Sequence, residues 1–242
     1  MNVIFDMDGV IFDTERFYIE CCVPAAEKVG LADMEKVSYE CIGLREEETK
    51  QKLLDHYGEH APLKAFEEET FRIFRNRYQQ EGLPLKKGVV ELLSYLKERG
   101  ARIAIGSSTR HDVVEMELRD AGLLDYFDAL ACGDMVEHSK PEPDVFLLAK
   151  EMLDDAATEE HGAAETEMRD AASTEEQGAA ADCIIIEDSF NGVIAAKRAG
   201  ATVFMVPDLL EPTEEIRAMA DKVFYSLVEV KQWFEMKLEG MT

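Results

Sequence analysis

The chain has 242 residues, of which 46% are hydrophobic, and its 51 acidic and 26 basic residues give a formal net charge of −25. This length and composition predict a globular protein with a buried core, as one large domain or as a domain with a smaller one inserted. The acidic balance argues against binding to nucleic acid or anionic membranes, and no apolar run approaches the ~18 residues of a membrane helix.

Cysteine usage favours a cytoplasmic protein, because five cysteines without a C-x-x-C pair suit a reducing compartment. The first residues have no basic region before their apolar stretch, so they do not match a secretory signal peptide. The sequence also lacks a clear exposed apolar stripe, and we therefore expect a monomer.

The first predicted element is a buried strand at residues 3–5, an apolar run that ends in acid. From about residue 15 to residue 82 the strand signals disappear, and helical spacing rich in charged residues replaces them. One helix face is predicted from the spacing of Phe66, Thr70, Ile73, Phe74 and Arg77. We interpret residues 15–84 as a helical domain inserted between two core segments, 1–14 and 85–242.

Beyond residue 85, predicted strands alternate with predicted helices. The apolar stripe Val89, Leu92, Leu93 and Leu96 predicts the first of these helices, and Gly100 suits its C-terminal cap. Further strands are predicted at 102–106, 129–132, 183–186, 203–206 and 223–225, and further helices at 113–121, 144–152, 193–199 and around Trp233. This alternation predicts an α/β fold with a doubly wound parallel sheet, in which ligands bind at the carboxyl ends of the strands.

One segment of the core does not follow this pattern. Residues 155–180 contain DAATEEHGAA and then DAASTEEQGAA, a near-duplicate rich in Ala and Glu. Such a sequence can form helix but has few large apolar residues to bury. We predict a solvated insertion here, with a partner-binding arm as the alternative.

Two groups of polar residues follow the first two core strands. Asp6 and Asp8 come directly after the first strand, and residues two apart project to the same side of an extended chain, where they could share a divalent cation. Ser107 ends the next strand, where a hydroxyl and the following helix N-terminus could bind a phosphoryl oxygen. Taken singly, each group could instead be an ordinary turn or helix cap.

Two more groups follow later strands. Lys140 precedes two prolines in SKPEPD, a stiff loop that could hold an ammonium group, although a turn before a helix is the simpler alternative. Glu187 and Asp188 follow an apolar strand, where carboxylate oxygens could bind a hard cation or merely cap a helix. Because the carboxyl ends of parallel strands meet at one edge of the sheet, we interpret all four groups as one site.

The order D-x-D-G, S, K, E-D resembles the four motifs of the haloacid dehalogenase (HAD) superfamily. The stretches DMDGVIFDT, SKPEPDVF and EDSFNGVIAAKRAGA are similar to the branch with a helical cap domain, which includes β-phosphoglucomutase and many sugar-phosphate phosphatases. The resemblance covers nearly the whole chain except residues 155–180. It implies a Rossmann-like core and a helical cap, with hinges near residues 14–16 and 82–86.

This resemblance implies a Mg²⁺-dependent phosphatase of a small phosphorylated metabolite. It makes Asp6 the nucleophile that forms an aspartyl-phosphate, and Asp8 the general acid and then base. Ser107 and Lys140 would hold the phosphoryl oxygens. The implied Mg²⁺ ligands are the Asp6 carboxylate, the Asp8 backbone carbonyl, Asp188, and Glu187 directly or through water. The further substrate-binding candidates are Thr14, Arg45, Ser108, Thr109 and Asn191.

The alternative enzyme is a sugar-phosphate mutase of the β-phosphoglucomutase type. Tyr18 stands where that enzyme has a His, and Arg45 is displaced by one position, so both residues argue against the mutase. Asp8 argues against dehalogenases and phosphonatases, which do not keep an Asp at this position. A signalling receiver domain is an alternative of another class, but D-x-D-G after the first strand and the added cap both argue against it.

Overall fold

The computed structural model of the protein describes residues 1–44, 46–161 and 179–239. The chain divides into two compact units, which we call the core unit, Met1–Phe12 with Leu85–Thr242, and the inserted unit, Asp13–Pro84. Within the described ranges, no helix combines the length and the apolar character that crossing a membrane requires.

The described part of the core unit contains a six-stranded sheet, and every strand pair in it is parallel. The strand order is β3-β2-β1-β4-β5-β6, so β1 is central, and Phe5 at its end lies opposite Ile105 and Ile186. The strands are β1 Asn2–Phe5, β2 Arg102–Gly106, β3 Ala129–Ala131, β4 Cys183–Glu187, β5 Thr202–Met205 and β6 Lys222–Val223. The predicted doubly wound α/β fold is confirmed.

Helices cover both faces of this sheet. They are α5 Val89–Glu98, α6 His111–Asp120, α7 Asp144–His161, α8 Phe190–Arg198, α9 Glu214–Met219 and α10 Leu227–Glu239. Successive residues of β5 point to opposite faces: Phe204 contacts Trp233 of α10 with ring centroids 4.8 Å apart, whereas Met205 joins a buried cluster with Phe146 of α7. Both faces of the sheet are therefore apolar, as a fully covered parallel sheet requires.

The inserted unit consists of four helices in its described residues, α1 Thr14–Val29, α2 Met34–Cys41, α3 Glu46–Tyr57 and α4 Leu63–Glu81. The predicted face of α4 packs on α1: the Phe74 ring meets Phe17 edge-on at 5.2 Å, and the Arg77 guanidinium lies 4.2 Å from the same ring. The core of this unit is a separate apolar cluster that includes Cys22, Met34 and Phe66.

Several element bounds differ from the sequence prediction by one to three residues, and three differences have an identifiable local basis. Helix α7 continues past residue 152 to His161, because no Gly or Pro interrupts a stretch of good helix formers. Strand β6 ends at Val223 rather than at residue 225, since the Tyr225 N–H donates to the Glu229 carboxylate at the start of α10. Helix α9 was not predicted, although the Thr213 hydroxyl caps its first turn. Within the predicted insertion at 155–180, residues 162–178 lie outside the described residues.

Candidate active site

Asp6 lies at the carboxyl end of the central strand, between the ends of both neighbouring strands. Its N–H donates to the Ile186 carbonyl at 2.9 Å, and its side chain is largely buried. The Lys140 Nζ donates to Asp6 Oδ1 at 2.5 Å and to Glu187 Oε1 at 2.8 Å. One buried ammonium group therefore joins two carboxylates that come from different strands.

Burial and neighbouring charges both shift the pKa values of this cluster. Burial raises the pKa of Asp6 to about 7, although Lys140 opposes this increase, and Glu187 and Asp8 add to it. Burial also disfavours the charged form of Lys140, but Asp6 and Glu187 outweigh this effect and hold the pKa of Lys140 above its ordinary value. The Phe146 ring lies 4.6 Å from Nζ and adds a cation–π contact. Lys140 is therefore a fixed positive charge, yet it does not balance the surrounding acids.

Three of these acids could hold one metal ion. The carboxylates of Asp6, Glu187 and Asp188 offer ligand atoms within 4.8 Å of one another. All three donors are oxygens, which Mg²⁺ prefers, and the three carboxylates face a single ammonium group, that of Lys140. The donor set and the charge balance therefore both fit a divalent cation.

Two glycines allow these carboxylates to approach the backbone. Gly9 has a φ of +79°, and a Cβ there would lie 2.2 Å from Asp188 Oδ2. A Cβ at Gly192 would lie 1.6 Å from Glu187 Oε1. Ser189 fixes Glu187 from the other side, since its N–H donates to Oε2 at 2.8 Å and its hydroxyl donates to the same oxygen at 3.0 Å.

Asp8 lies in a tight turn that directly follows β1. Within this turn the N–H groups of Ile11 and Phe12 donate to the Met7 carbonyl at 2.8 and 3.1 Å, and the Gly9 N–H donates to the Phe12 carbonyl at 2.9 Å. The side chain of Asp8 is partly exposed, and its Oδ2 accepts a hydrogen bond from the Thr109 hydroxyl at 2.9 Å.

Thr109 makes three hydrogen bonds that join separate parts of the site. Besides the bond from its hydroxyl to Asp8, its N–H donates to Ser107 Oγ at 3.0 Å, and its carbonyl accepts from Gly133 N at 2.9 Å. Ser107 is buried at the end of β2. Thr109 therefore contacts the acid after β1, the hydroxyl after β2 and the loop that leads to Lys140.

The structure thus brings seven predicted residues together: Asp6, Asp8, Ser107, Thr109, Lys140, Glu187 and Asp188. The side chains of Ser108 and Asn191 are exposed. Thr14 begins α1 of the inserted unit, and within the described residues its buried hydroxyl has no hydrogen-bond partner. Arg45 lies outside the described residues.

Three contributors to the site lie in the quoted motif stretches but were given no role in the sequence interpretation. Ser189 and Gly192 hold and make room for Glu187, and Phe146 faces Lys140. The position of Ser189 directly after two acids and before a helix was a usable signal for a capping residue. Phe146 ends the stretch SKPEPDVF, but an apolar residue on the core face of α7 gave no sign of its contact with Lys140.

The chain is similar to several known proteins. Residues 3–206 match the family described as haloacid dehalogenase-like hydrolase. The phosphorylated carbohydrates phosphatase of Thermotoga maritima is 31% identical over 202 residues, which cover 82% of this chain and 81% of that protein. The beta-phosphoglucomutase of Bacillus subtilis is 28% identical over 204 residues, which cover 82% and 79%. The crystal structure of a HAD family hydrolase from Deinococcus radiodurans superposes with a TM-score of 0.72 at 22% identity, covering 95% of this chain and 92% of that one.

Proposed function

The chain belongs to the haloacid dehalogenase-like hydrolases, and we propose that it is a Mg²⁺-dependent phosphatase of small phosphorylated metabolites, in particular sugar phosphates. The observation that carries the proposal is the pairing of Asp6 with Lys140 at the end of the central strand, with a second carboxylate, Asp8, two residues further on. The Thermotoga relative, a phosphatase of phosphorylated carbohydrates by name, supports this substrate class.

In this proposal Asp6 attacks the phosphorus and forms an aspartyl-phosphate while the bond from phosphorus to the leaving oxygen breaks. Asp8 gives its proton to that oxygen, which leaves as an alcohol. Asp8 then takes a proton from water, the water oxygen attacks the phosphorus, and Asp6 is released together with inorganic phosphate. Lys140 and Ser107 bind the phosphoryl oxygens as their charge redistributes.

Asp6, Glu187 and Asp188, together with the Asp8 carbonyl, would hold the Mg²⁺. The cation would supply positive charge that lets an anionic carboxylate approach an anionic phosphate ester. The chain itself supplies the rest: Ser189 fixes Glu187, and Gly9 leaves room for Asp188 beside the turn. A cation beside Asp6 would also favour the charged carboxylate that the attack requires.

Asp8 supports ester hydrolysis in particular. An alkoxide is a poor leaving group unless it is protonated as the bond breaks, so a sugar phosphate needs an acid beside the nucleophile. The hydrogen bond from Thr109 to Asp8 Oδ2 leaves the other carboxyl oxygen to carry the proton. We therefore assign Thr109 to the positioning of Asp8 as well as to the substrate-binding group.

Tyr18 favours a phosphatase over a mutase, which is the second candidate because the Bacillus relative is one by name. Burial raises the pKa of Tyr18 to about 12. A phenol with this pKa cannot exchange protons near neutral pH in the way that a histidine at the same position does. In this account water reaches the aspartyl-phosphate, so free phosphate is the product.

The test is a screen of sugar phosphates and other phosphorylated metabolites for release of inorganic phosphate, with Mg²⁺ and with EDTA. We expect release that requires Mg²⁺. Turnover at the same rate in EDTA would contradict the metal assignment, and a screen without phosphate release would contradict the phosphatase. Rapid conversion of β-glucose 1-phosphate to glucose 6-phosphate, in the presence of glucose 1,6-bisphosphate and without free phosphate, would establish the mutase instead.

A further inference from the structure

A buried ion pair lies in the core unit, at the carboxyl ends of the strands where the candidate site is found. Lys86 lies two residues after the inserted unit ends at Pro84, and its Nζ contacts Asp208 Oδ1 at 2.5 Å. The Asp208 side chain is only 2% exposed and that of Lys86 is 19% exposed. Asp208 follows β5, so it lies at the carboxyl ends of the strands, as Asp6 does.

On the Lys86 side, backbone contacts lead directly to the turn that carries Asp8. The Lys86 N–H donates to the Ile11 carbonyl at 2.9 Å, and Leu85 forms an antiparallel bridge with Phe12. Phe12 is in turn bridged to Asp8 itself. A displacement of Lys86 would therefore move the backbone of the turn through its contacts at Ile11, Phe12 and Asp8.

On the Asp208 side, the contacts lead to Glu187. Asp208 lies two residues beyond Val206, whose N–H donates to the Glu187 carbonyl at 2.7 Å. Met205 is also in register with Glu187 in the parallel pair of β4 and β5. The ion pair thus completes a continuous path of contacts from Asp8, through the return of the chain into the core unit, to Glu187.

Stability is a poor explanation for this pair. Removing two charges from water costs free energy that their attraction often fails to recover, so buried pairs are weak evidence for stability. The second oxygen of Asp208 is also buried and, within the described residues, has no hydrogen-bond partner, which adds a further cost. A pair that forms in spite of these costs is better explained by the geometry that it imposes.

We infer that Lys86 and Asp208 are positioning residues, which fix the turn of Asp8 relative to Glu187. This inference rests on the proposed function, in which Asp8 moves the proton and Glu187 belongs to the metal site. Without the pair the turn would keep its own hydrogen bonds but lose its attachment to β5. The proton donor would then be held less accurately beside the leaving oxygen, and displacements of 1 Å can cost about 10²-fold in rate.

The decisive variant replaces both charges, Lys86→Met with Asp208→Leu. Lys86→Met alone leaves a buried carboxylate without its cation and should lower the melting temperature, whereas the double variant removes both charges and should recover much of that loss. At the recovered stability we expect kcat to remain reduced by about tenfold to hundredfold with little change in KM. If the double variant folds poorly, kcat can be measured in the isosteric Asp208→Asn variant, which removes one charge and keeps the shape of the side chain.

A second readout does not depend on activity. Hydrogen exchange at the Gly9, Ile11 and Phe12 amides, which are all bonded within the turn, should be faster in the double variant. The matched control is Lys97→Met, which breaks the 2.6 Å ion pair with Asp128. Asp128 precedes β3, so that pair lies at the opposite edge of the sheet and its loss should change neither readout.

A double variant with wild-type stability, wild-type exchange in the turn and wild-type kcat would overturn the inference. Faster exchange with unchanged kcat would overturn it as well, because the pair would then hold the turn without positioning the reaction. If the wild-type enzyme releases no phosphate, the proposed function fails. Hydrogen exchange then still tests whether the ion pair holds the turn, and unchanged exchange in the double variant would show that it does not.

Discussion

The two units of this protein use their polar residues in opposite ways. In the core unit, Lys140 joins Asp6 and Glu187 at the strand ends, and the side chains of all three are buried, Glu187 fully. In the inserted unit, the ion pairs lie at the surface: the Lys64–Glu68 side chains, for example, are 88% and 70% exposed. Exposed pairs of this kind contribute little to stability. The polar chemistry of the core unit is therefore fixed in place, whereas that of the inserted unit is solvated.

The inserted unit also differs from the core unit in having an apolar cavity. Its helices leave a cavity of about 250 Å³ that is open to solvent and is lined largely by apolar side chains such as Ile19, Met34, Leu53 and Phe66. Among the described residues, the carboxylates that could share a metal ion all belong to the core unit. We therefore expect a division of roles, in which the strand ends of the core unit carry out the reaction and the inserted unit selects the substrate.

The largest expected effect is that of Asp6→Asn. The amide cannot attack phosphorus, so turnover should fall by at least about 10³-fold, as it does when other enzymes lose their nucleophile. Phosphate release at saturating substrate and Mg²⁺ measures the loss. Asp112→Asn, which changes an exposed acid paired with Arg110 in the same unit, should leave turnover unchanged. If the Asp6→Asn variant kept a turnover close to that of the wild type, the reaction would not take place at this site.

The second effect is that of Thr109→Val, which removes the hydroxyl bonded to Asp8 while keeping the backbone bond to Ser107. If Thr109 orients the proton donor, turnover of alkyl phosphates should fall by roughly 10²-fold. Turnover of p-nitrophenyl phosphate should fall much less, because that leaving group needs little protonation. Thr109→Ser keeps the hydroxyl and should restore most of the rate.

Equal losses with both kinds of substrate would show that Thr109 does not act through Asp8. The variant Ser94→Ala is a suitable control, since it also removes a partly buried hydroxyl in the core unit, one that lies 3.0 Å from the Tyr126 hydroxyl. It should affect neither substrate.

The third effect concerns metal binding, and Gly9 provides a matched comparison. Gly9→Ala places a Cβ against Asp188 and also requires a left-handed backbone, with φ +79°. Gly122→Ala requires a similar conformation, with φ +68°, but its Cβ would enter open space. Both variants should lose some stability, yet only Gly9→Ala should lower Mg²⁺ affinity, by about tenfold. Calorimetric titration with Mg²⁺ distinguishes them, and equal affinities would place the metal away from Asp188.

Much of this arrangement could be predicted from the sequence, for identifiable reasons. Apolar runs that end in acid predicted β1 and β4, and Asp6 and Glu187 lie where those runs end. The alternation of strands with helices predicted the sheet, because a parallel sheet needs helical crossovers. Residues that end neighbouring strands were expected at one edge, and the structure brings them together there.

Other features depend on tertiary contacts that no local pattern contains. Ser107 at the end of a predicted strand pointed to a nearby helix N-terminus, but the direction of the Thr109 hydroxyl towards Asp8 depends on how β1 and β2 pair. Lys86 and Asp208 are separated by 122 residues and belong to no motif, so nothing in either segment predicted their contact. Contacts of this kind can be identified only from the three-dimensional structure.

The smallest expected effect belongs to the inserted unit. Leu53 lines its cavity, whereas the neighbouring Leu54 on the same helix does not. Leu53→Phe would reduce the cavity, and Leu54→Phe makes the same chemical change outside it. If this unit selects the substrate, Leu53→Phe should change the ratio of kcat/KM between a small and a large phosphate ester by about threefold to tenfold, since a hydrophobic pocket discriminates weakly.

The dependence on Mg²⁺ and the maximal turnover of the best substrate should stay unchanged in Leu53→Phe, because the groups that carry the reaction lie in the core unit. An apolar substitution of this size should also cost little more than about 1–3 kcal/mol of stability, which thermal unfolding would measure. A uniform loss of kcat with every substrate would contradict the division of roles. The same change in ratio for Leu54→Phe would show that general repacking of α3, rather than the cavity, sets the preference.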